Sequence, residues 1–465
     1  MAPAIKPAAP LENIRVLDLS RVFAMPFAAA NLADLGAEVI KVDTCQTQFM
    51  DTTRTITGPF PDNQAGELWW EQGGTFQNLN RGKRSLTLDL RSEESQKIIK
   101  DLVGVCDIVL ENFTPRVMSR FGLDFESLRA HKPDLIMVSN TGYGHSGPWS
   151  NFGAMASALE PTHGTGAFMG YMEKGPDGRL SEGQVPNKMG NSYSDFMATW
   201  TALGSLMAAL LRRARTGQCQ WIDLAMYQTG TTVIGAGLLD YAFNGRRTQR
   251  IGNRHPVWSP HGVYPCQGYD QWVAIAARNE EDWQAVCQGM GMPELRSDPR
   301  FADPIERRCH QEDLDDIIAT WTSGKTSYQV MNDLQDAGAP AGAVLTAKQA
   351  LTDPQYRNRG FFETVHNPPE SDLRPKGYVG RGWKFSASEA EIRGPAPRLG
   401  EANEYILRDL LGIDQAKLTS LADDWTIGDL PEGGGAPGAV PLEEQVELGW
   451  IVEHDPGYLA ELPPV

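Results

Sequence analysis

The stretch Ile14-Arg-Val-Leu-Asp-Leu-Ser-Arg-Val-Phe-Ala-Met-Pro-Phe-Ala-Ala-Ala-Asn-Leu-Ala-Asp-Leu-Gly-Ala-Glu-Val-Ile-Lys-Val42 decides the fold. Residues 14–19 form a short apolar strand, 25–35 a helix stopped by Gly36, and 38–42 a second strand. The series continues with a strand over 86–90, a helix over 93–102, a strand over 107–111, a helix over 115–121 and a strand over 135–139. Short apolar strands separated by helices are covered on both faces, so the spacing predicts an α/β chain on a doubly wound, mostly parallel sheet. Ligands bind such sheets beyond the carboxyl ends of the strands.

Around this core, residues 45–80 form a polar and aromatic loop region, and 144–190 are Gly-rich and irregular with a turn over 174–180. Near residue 250 the pattern changes to hairpin strands at 262–266 and 272–276, then helices to about residue 338. Mixed strand and helix signals return from 343 to 411. The Pro/Gly-rich residues 431–443 predict a flexible linker, followed by a strand over 446–452.

With 465 residues, 41% hydrophobic and 22% charged, the chain is globular and long enough for more than one domain. A formal net charge of −17 argues against nucleic acid or an anionic membrane as partner, while leaving room for a local basic pocket. The six scattered cysteines fit reduced thiols, the first ten residues lack the apolar core of a signal peptide, and no uncharged apolar run is long enough to span a bilayer. The expectation is a soluble cytoplasmic protein.

Asn191-Ser-Tyr-Ser-Asp195 opens a long apolar helix that ends with Arg212, Arg213 and Arg215 before Gly217. Ser194 or Asp195 fits its N-cap, and the helix dipole is expected to lower the Asp195 pKa. Asn80-Arg-Gly-Lys-Arg-Ser85 is either a solvated basic turn or a clamp for phosphates. Glu111-Asn-Phe-Thr-Pro-Arg116 leads from a strand into a helix carrying Arg120, where Asn112 and Phe113 are either ligand contacts or loop and core residues. Gly142-Tyr-Gly-His-Ser-Gly147 matches G-x-G-x-x-G after a strand, but Pro148 and Trp149 follow where a helix should open, so it is a glycine-rich loop. His255 stands in the rigid loop 251–256; no metal-ligand cluster and no Gly-x-Ser-x-Gly elbow is present.

Taken together these segments resemble the family III CoA-transferases (CaiB/BaiF), which include formyl-CoA and carnitine CoA-transferases. The matching stretches, in order, are 14–20, 33–42, Asn80–Asp89, Val109–Pro115, Asp195 with the helix through Leu211, Thr216-Gly217, Gly252-Asn-Arg-His-Pro256 and Thr426-Ile-Gly-Asp429. The resemblance implies a Rossmann-like large domain from both chain ends and a small α+β domain, in two ring-shaped subunits interlocked as a homodimer. The expected boundaries are 1–225 for the large domain, 226–340 for the small one, 341–430 for the return, and 431–465 for a linker and C-terminal extension. It also implies Asp195 as catalytic residue, CoA contacts at Lys83, Asn112, Phe113 and Arg120, Tyr143 in the loop lining the site, acyl-CoA and carboxylic acids as substrates, and no metal.

The family's chemistry runs through an aspartyl anhydride and an aspartyl-CoA thioester, with the glycine-loop N–H groups available to oxyanions. Two competing readings are an α-methylacyl-CoA racemase, whose histidine is missing from Phe152–Ala156, and a non-catalytic partner subunit, which an intact Asp195 disfavours. Some members place a basic residue after the second strand, where this chain has Thr44 and Cys45, and its tail after about residue 431 exceeds the usual family end. Phe23, Met25, Phe152, Met155, Phe168, Met169 and Tyr171 suggest an acceptor acid with apolar or aromatic character rather than oxalate or succinate.

Overall fold

A computed structural model describes residues 9–55, 59–171, 173–174, 180–181, 186–190 and 192–462. Six parallel strands make the main sheet: β1 (Arg15–Asp18), β2 (Glu38–Asp43), β3 (Arg84–Thr87), β4 (Ile108–Glu111), β5 (Ile136–Thr141) and β6 (Gln220–Ala225). Their order is β3-β2-β1-β4-β5-β6, so the winding reverses between β1 and β4. Helix α1 (Ala24–Asp34) joins β1 to β2, α2 (Glu93–Val105) joins β3 to β4, and α3 (Tyr193–Thr216) precedes β6.

The pleat sorts each strand's side chains between two cores. Val16, Ile108, Leu110, Ile136 and Val138 face α1 and α3, meeting Ala28, Leu32, Ala202 and Leu206. Leu17, Val109 and Met137 face the other way onto Ile98, Ile99 and Leu102 of α2 and onto Ile406 and Leu407 from the returning chain end. That return also covers the open edge of β3. Ala402 N–H donates to Ser85 O at 3.0 Å, Thr87 N–H to Asn403 Oδ1 at 2.9 Å and Thr87 Oγ1 to Gly428 O at 2.7 Å. An exposed strand edge invites pairing with other chains, and here the returning chain end closes it.

The chain divides into two compact units, 1–165 with 189–235 and 353–465, and 166–188 with 236–352. The second holds an antiparallel sheet of His261–Pro265, Trp272–Ala276 and Ala341–Val344, with a core around Trp283 and Phe301. Because Ala341–Val344 completes this sheet, the return to the first unit falls at 353 instead of 341.

Several expectations change. The loop region 45–80 contains short helices, among them Trp69–Gln72 and Gly74–Leu79. Residues 431–441 are not a free linker: Glu432 N–H donates to Cys45 O, Thr47 Oγ1 to Gly433 O and Asn63 Nδ2 to Val440 O. The strand expected at 446–452 is replaced by a helix, Leu442–Glu447, followed by turns. The turn at 174–180 lies mostly outside the described residues. All six cysteines are free. Among the described residues no helix is long and apolar enough to cross a membrane, and no group of three metal-binding side chains forms.

Candidate active site

In sheets of this kind ligands bind in the crevice at the carboxyl ends of the strands where the order reverses, here between β1 and β4, and the loop after β1 is fastened across that place. Arg21 N–H donates to Asn112 Oδ1 at 2.8 Å, and Asn112 Nδ2 donates back to Arg21 O at 2.7 Å. Val22 follows at φ 69°, where a β-branched residue is strained, with its N–H directed at the Asp51 carboxylate (3.2 and 3.4 Å). Such strain persists only where the surroundings over-determine it and collects at functional sites. Two residues on, Ala24 opens α1, and its backbone N–H favours the charged form of the Asp195 carboxylate. From Arg21 to Ala24 the loop spans at most about 11 Å, so crevice and carboxylate are within reach of one ligand.

Asp195 lies in the first turn of α3, partly buried. Neither it nor Ser194 is the N-cap; that is Ser192, in the left-handed region at φ 47° with no side-chain cap bond. The helix runs 24 residues from there to Gly217, itself at φ 68°. Aromatic edges join its start to α1, with Phe27 5.6 Å from Phe196 and 6.0 Å from Trp200, and Thr199 Oγ1 donates to Ala24 O at 2.7 Å. The expected low pKa is reversed. Burial and the nearby Glu160 carboxylate push the Asp195 carboxyl up to about 7, against the Ala24 N–H that favours its charge.

Asn112 spends its amide on the loop, and Arg21 stands over the Phe113 ring at 5.8 Å. Lys83 is 4% exposed, and its three donors go to Asp18 (2.7 Å), Pro26 O (2.8 Å) and Asn80 Oδ1 (2.8 Å). It has no donor left for a phosphate and ties β1, α1 and the 80–83 turn together. Arg120 is exposed at the end of helix Pro115–Arg120, over the Phe121 ring at 5.3 Å. Tyr143 is half-buried among Trp149, Phe152 and Tyr227. Two N–H groups of the glycine loop are already committed, Gly144 to Thr141 Oγ1 and His145 to the Asp223 carboxylate.

The apolar residues noted for an acceptor differ in burial and in the unit that holds them. Met25 is fully buried in the core, Phe152 and Met155 are exposed, and Phe168, Met169 and Tyr171 belong to the second unit. Three more polar residues stand out by their burial. Glu160 and His163, 1% and 2% exposed, flank Pro161 and Thr162 beside the start of α3. Glu111, wholly buried at the end of β4, is pushed up to about 7 by burial while Ser139 and the Phe113 N–H hold its charged form. A signal existed for Glu160: it is the only Asp, Glu, Lys or Arg between residues 149 and 172.

A doubly wound sheet whose switch-point crevice leads to a half-buried aspartate at the meeting of two helix starts suits group transfer to or from a carboxylate. The chain matches the model of CoA-transferase family III over residues 11–403 and belongs to that family. It is 36% identical to the succinyl-CoA–D-citramalate CoA-transferase of Chloroflexus aurantiacus, covering 90% of this chain and 98% of the relative. It is 31% identical to the succinate–glutarate CoA-transferase of Agrobacterium fabrum over 87% and 97% of the two chains. A crystal structure of a CaiB/BaiF family protein from Brucella suis superposes with a TM-score of 0.75 at 30% identity, over 87% and 99% of the chains.

Proposed function

We propose that the protein transfers CoA from an acyl-CoA donor to a carboxylic acid acceptor, with Asp195 carrying the group. The carrying observation is the Asp195 carboxylate facing the first N–H of α1, at the end of the strained loop from the crevice. Asp195 attacks the thioester carbonyl, the C–S bond breaks, and CoA departs as thiolate from an acyl-aspartyl anhydride. The thiolate attacks the aspartyl carbonyl and expels the donor acid, leaving an aspartyl-CoA thioester. The acceptor carboxylate attacks that carbonyl and releases thiolate. The thiolate then takes the acceptor's acyl group, which restores the Asp195 carboxylate. No proton or ATP is consumed, because each step exchanges one activated acyl bond for another.

The substrate class we assign is a succinyl-CoA donor with a dicarboxylic acid acceptor of four or five carbons. Its support is the naming of relatives for succinate or succinyl-CoA with D-citramalate or glutarate, and the loss of Met25 from any apolar acceptor wall. Incubation with succinyl-CoA should give a covalent CoA adduct by intact mass, absent in Asp195→Ala. With succinyl-CoA fixed and acids in competition, citramalate and glutarate should be converted ahead of phenylacetate and isobutyrate. No adduct would overturn the mechanism; preference for the apolar acids would overturn only the substrate class. The exposed Leu238, Leu239, Tyr241 and Phe243 of helix Gly235–Asn244 support a second copy of the chain as partner, and six free thiols support a reducing, cytoplasmic setting.

Attack requires the ionised carboxylate, so kcat/KM should rise with pH along a limb near 7 and level off above it. Glu160 raises this limb by like-charge repulsion, so Glu160→Gln should move it to lower pH; an unmoved limb would separate the two groups. Arg120→Ala should raise the KM for acyl-CoA about 3- to 10-fold, an effect that shrinks with added salt. Lys83→Ala should instead lower the unfolding midpoint, since it strands the buried Asp18 carboxylate. Steady-state kinetics and denaturant titration of the two variants separate these roles.

A further inference from the structure

We propose that His163 and Tyr193 form a buried latch that sets the position of the Asp195 carboxylate, which makes both positioning residues for the transfer. This rests on the reading of Asp195 as nucleophile. The start of α3 needs such a support. Ser192 holds a left-handed conformation that a non-glycine residue adopts at a cost, and its side chain makes no cap bond. Within the first turn, Asp195 N–H donates to Ser192 O at 3.0 Å, so displacement of this turn displaces the carboxylate.

Tyr193 is where the turn is gripped. Its ring meets the His163 ring edge-on, with centroids 6.0 Å apart and an interplanar angle of 84°. Its hydroxyl lies 3.5 Å from His163 Nε2 and also bonds to the Thr165 side chain. His163 has no room to yield. It is 2% exposed, its N–H donates to Leu159 O at 3.0 Å, and its carbonyl accepts from Thr231 Oγ1 at 3.0 Å. Gly230 presses against the ring, where a Cβ would come within 2.2 Å of Cδ2. His163 Nδ1 has no hydrogen-bond partner among the described residues. Burying an unsatisfied polar atom is unfavourable, and a phenylalanine would fill the space without that cost, so the imidazole serves something beyond packing. Side chains two apart on a helix do not face each other, so the latch acts on Asp195 through the backbone of the turn.

The test is the single-turnover rate of aspartyl-CoA adduct formation from succinyl-CoA, read by quenched intact mass, beside the KM for acyl-CoA and the thermal midpoint. Gly230→Ala, whose Cβ would displace the His163 ring, and Tyr193→Leu, which removes the grip, should each slow adduct formation about 30-fold or more. KM should stay within about twofold, because the latch acts on the position of the nucleophile and not on a contact with CoA. Tyr193→Phe, which keeps the ring contact and loses the hydroxyl's contacts with His163 and Thr165, should recover part of the rate. If one of the two disruptive variants does not fold, the other carries the test. Rates within about threefold of wild type in a folded variant, or a loss falling on KM, would overturn the latch. Absence of an adduct in the wild-type protein would instead remove the Asp195 reading on which it stands.

Discussion

Asp195→Ala should leave a folded protein whose CoA-transfer rate is lower by roughly 10³-fold or more. The proposed route passes every acyl bond through this one carboxylate, and neither a second nucleophile nor water can return CoA to an acceptor. Asp195→Asn sharpens the test because it keeps shape and removes charge. The Asp195 carboxyl is raised to about 7 in the folded protein, above the usual 3.8. A carboxyl raised on folding binds its proton more tightly in the native state, so ionising it costs stability as pH climbs from about 4 through 7. At pH 8 the wild-type protein bears the whole of that cost and the Asn variant none; at pH 5, where the native carboxyl is still largely protonated, only part of it is incurred. The Asn variant should therefore be more stable by about 1–3 kcal/mol at pH 8, with a smaller difference at pH 5. Catalytic activity near wild type in either variant, measured by acceptor-CoA formation, would reject the covalent mechanism.

The sheet was legible because its strands obey a local rule. Each is a short apolar run closed by glycine or a polar loop, and burial on both faces leaves no other use for such runs in this pattern. Even the misplaced strand, 86–90 expected against Arg84–Thr87 found, differs only because Arg84 and Ser85 are polar yet pair with Ile40 and Lys41. Position at the site was less legible, since it depends on contacts between distant segments. Nothing local to Lys83 announces that Asp18 and Pro26 will take all its donors. Ser and Asp favour N-caps, which predicts a start of α3 at Ser194 or Asp195, whereas the helix begins at Tyr193, whose ring meets His163. The helix dipole favours an ionised Asp195 at an exposed helix start, but burial beside Glu160 outweighs it. The tail looked like a linker from its glycines and prolines, and its hydrogen bonds to the 45–63 loops could not be read from composition.

Arg54→Met should be the most destabilising substitution near the crevice, by about 3–5 kcal/mol. The Arg54 side chain is fully buried beneath the loop that follows β2, stacked 3.7 Å from the Phe76 ring centroid. Its Nε donates to Asp43 at 2.7 Å, Nη1 to Glu71 and Trp70 O, both at 3.1 Å, and Nη2 to Pro397 O at 3.0 Å. One guanidinium thus joins the end of β2, the Trp69–Gln72 helix and the returning chain end. Methionine fills much of the volume but strands two buried carboxylates, and lysine cannot reproduce the planar fork, so Arg54→Lys should recover only part of the loss. The pH dependence identifies the cause. Beside Arg54 the Asp43 carboxyl sits below its usual value, so its contribution is present above about pH 4 and fades as acid protonates it in the native state. Without the guanidinium, burial pushes that carboxyl upward and protonation relieves it at milder acidity. The gap between wild type and Arg54→Met in urea titrations should be widest near pH 8 and narrow toward pH 5. A gap that does not vary with pH would assign the loss to packing against Phe76 and not to stranded charge.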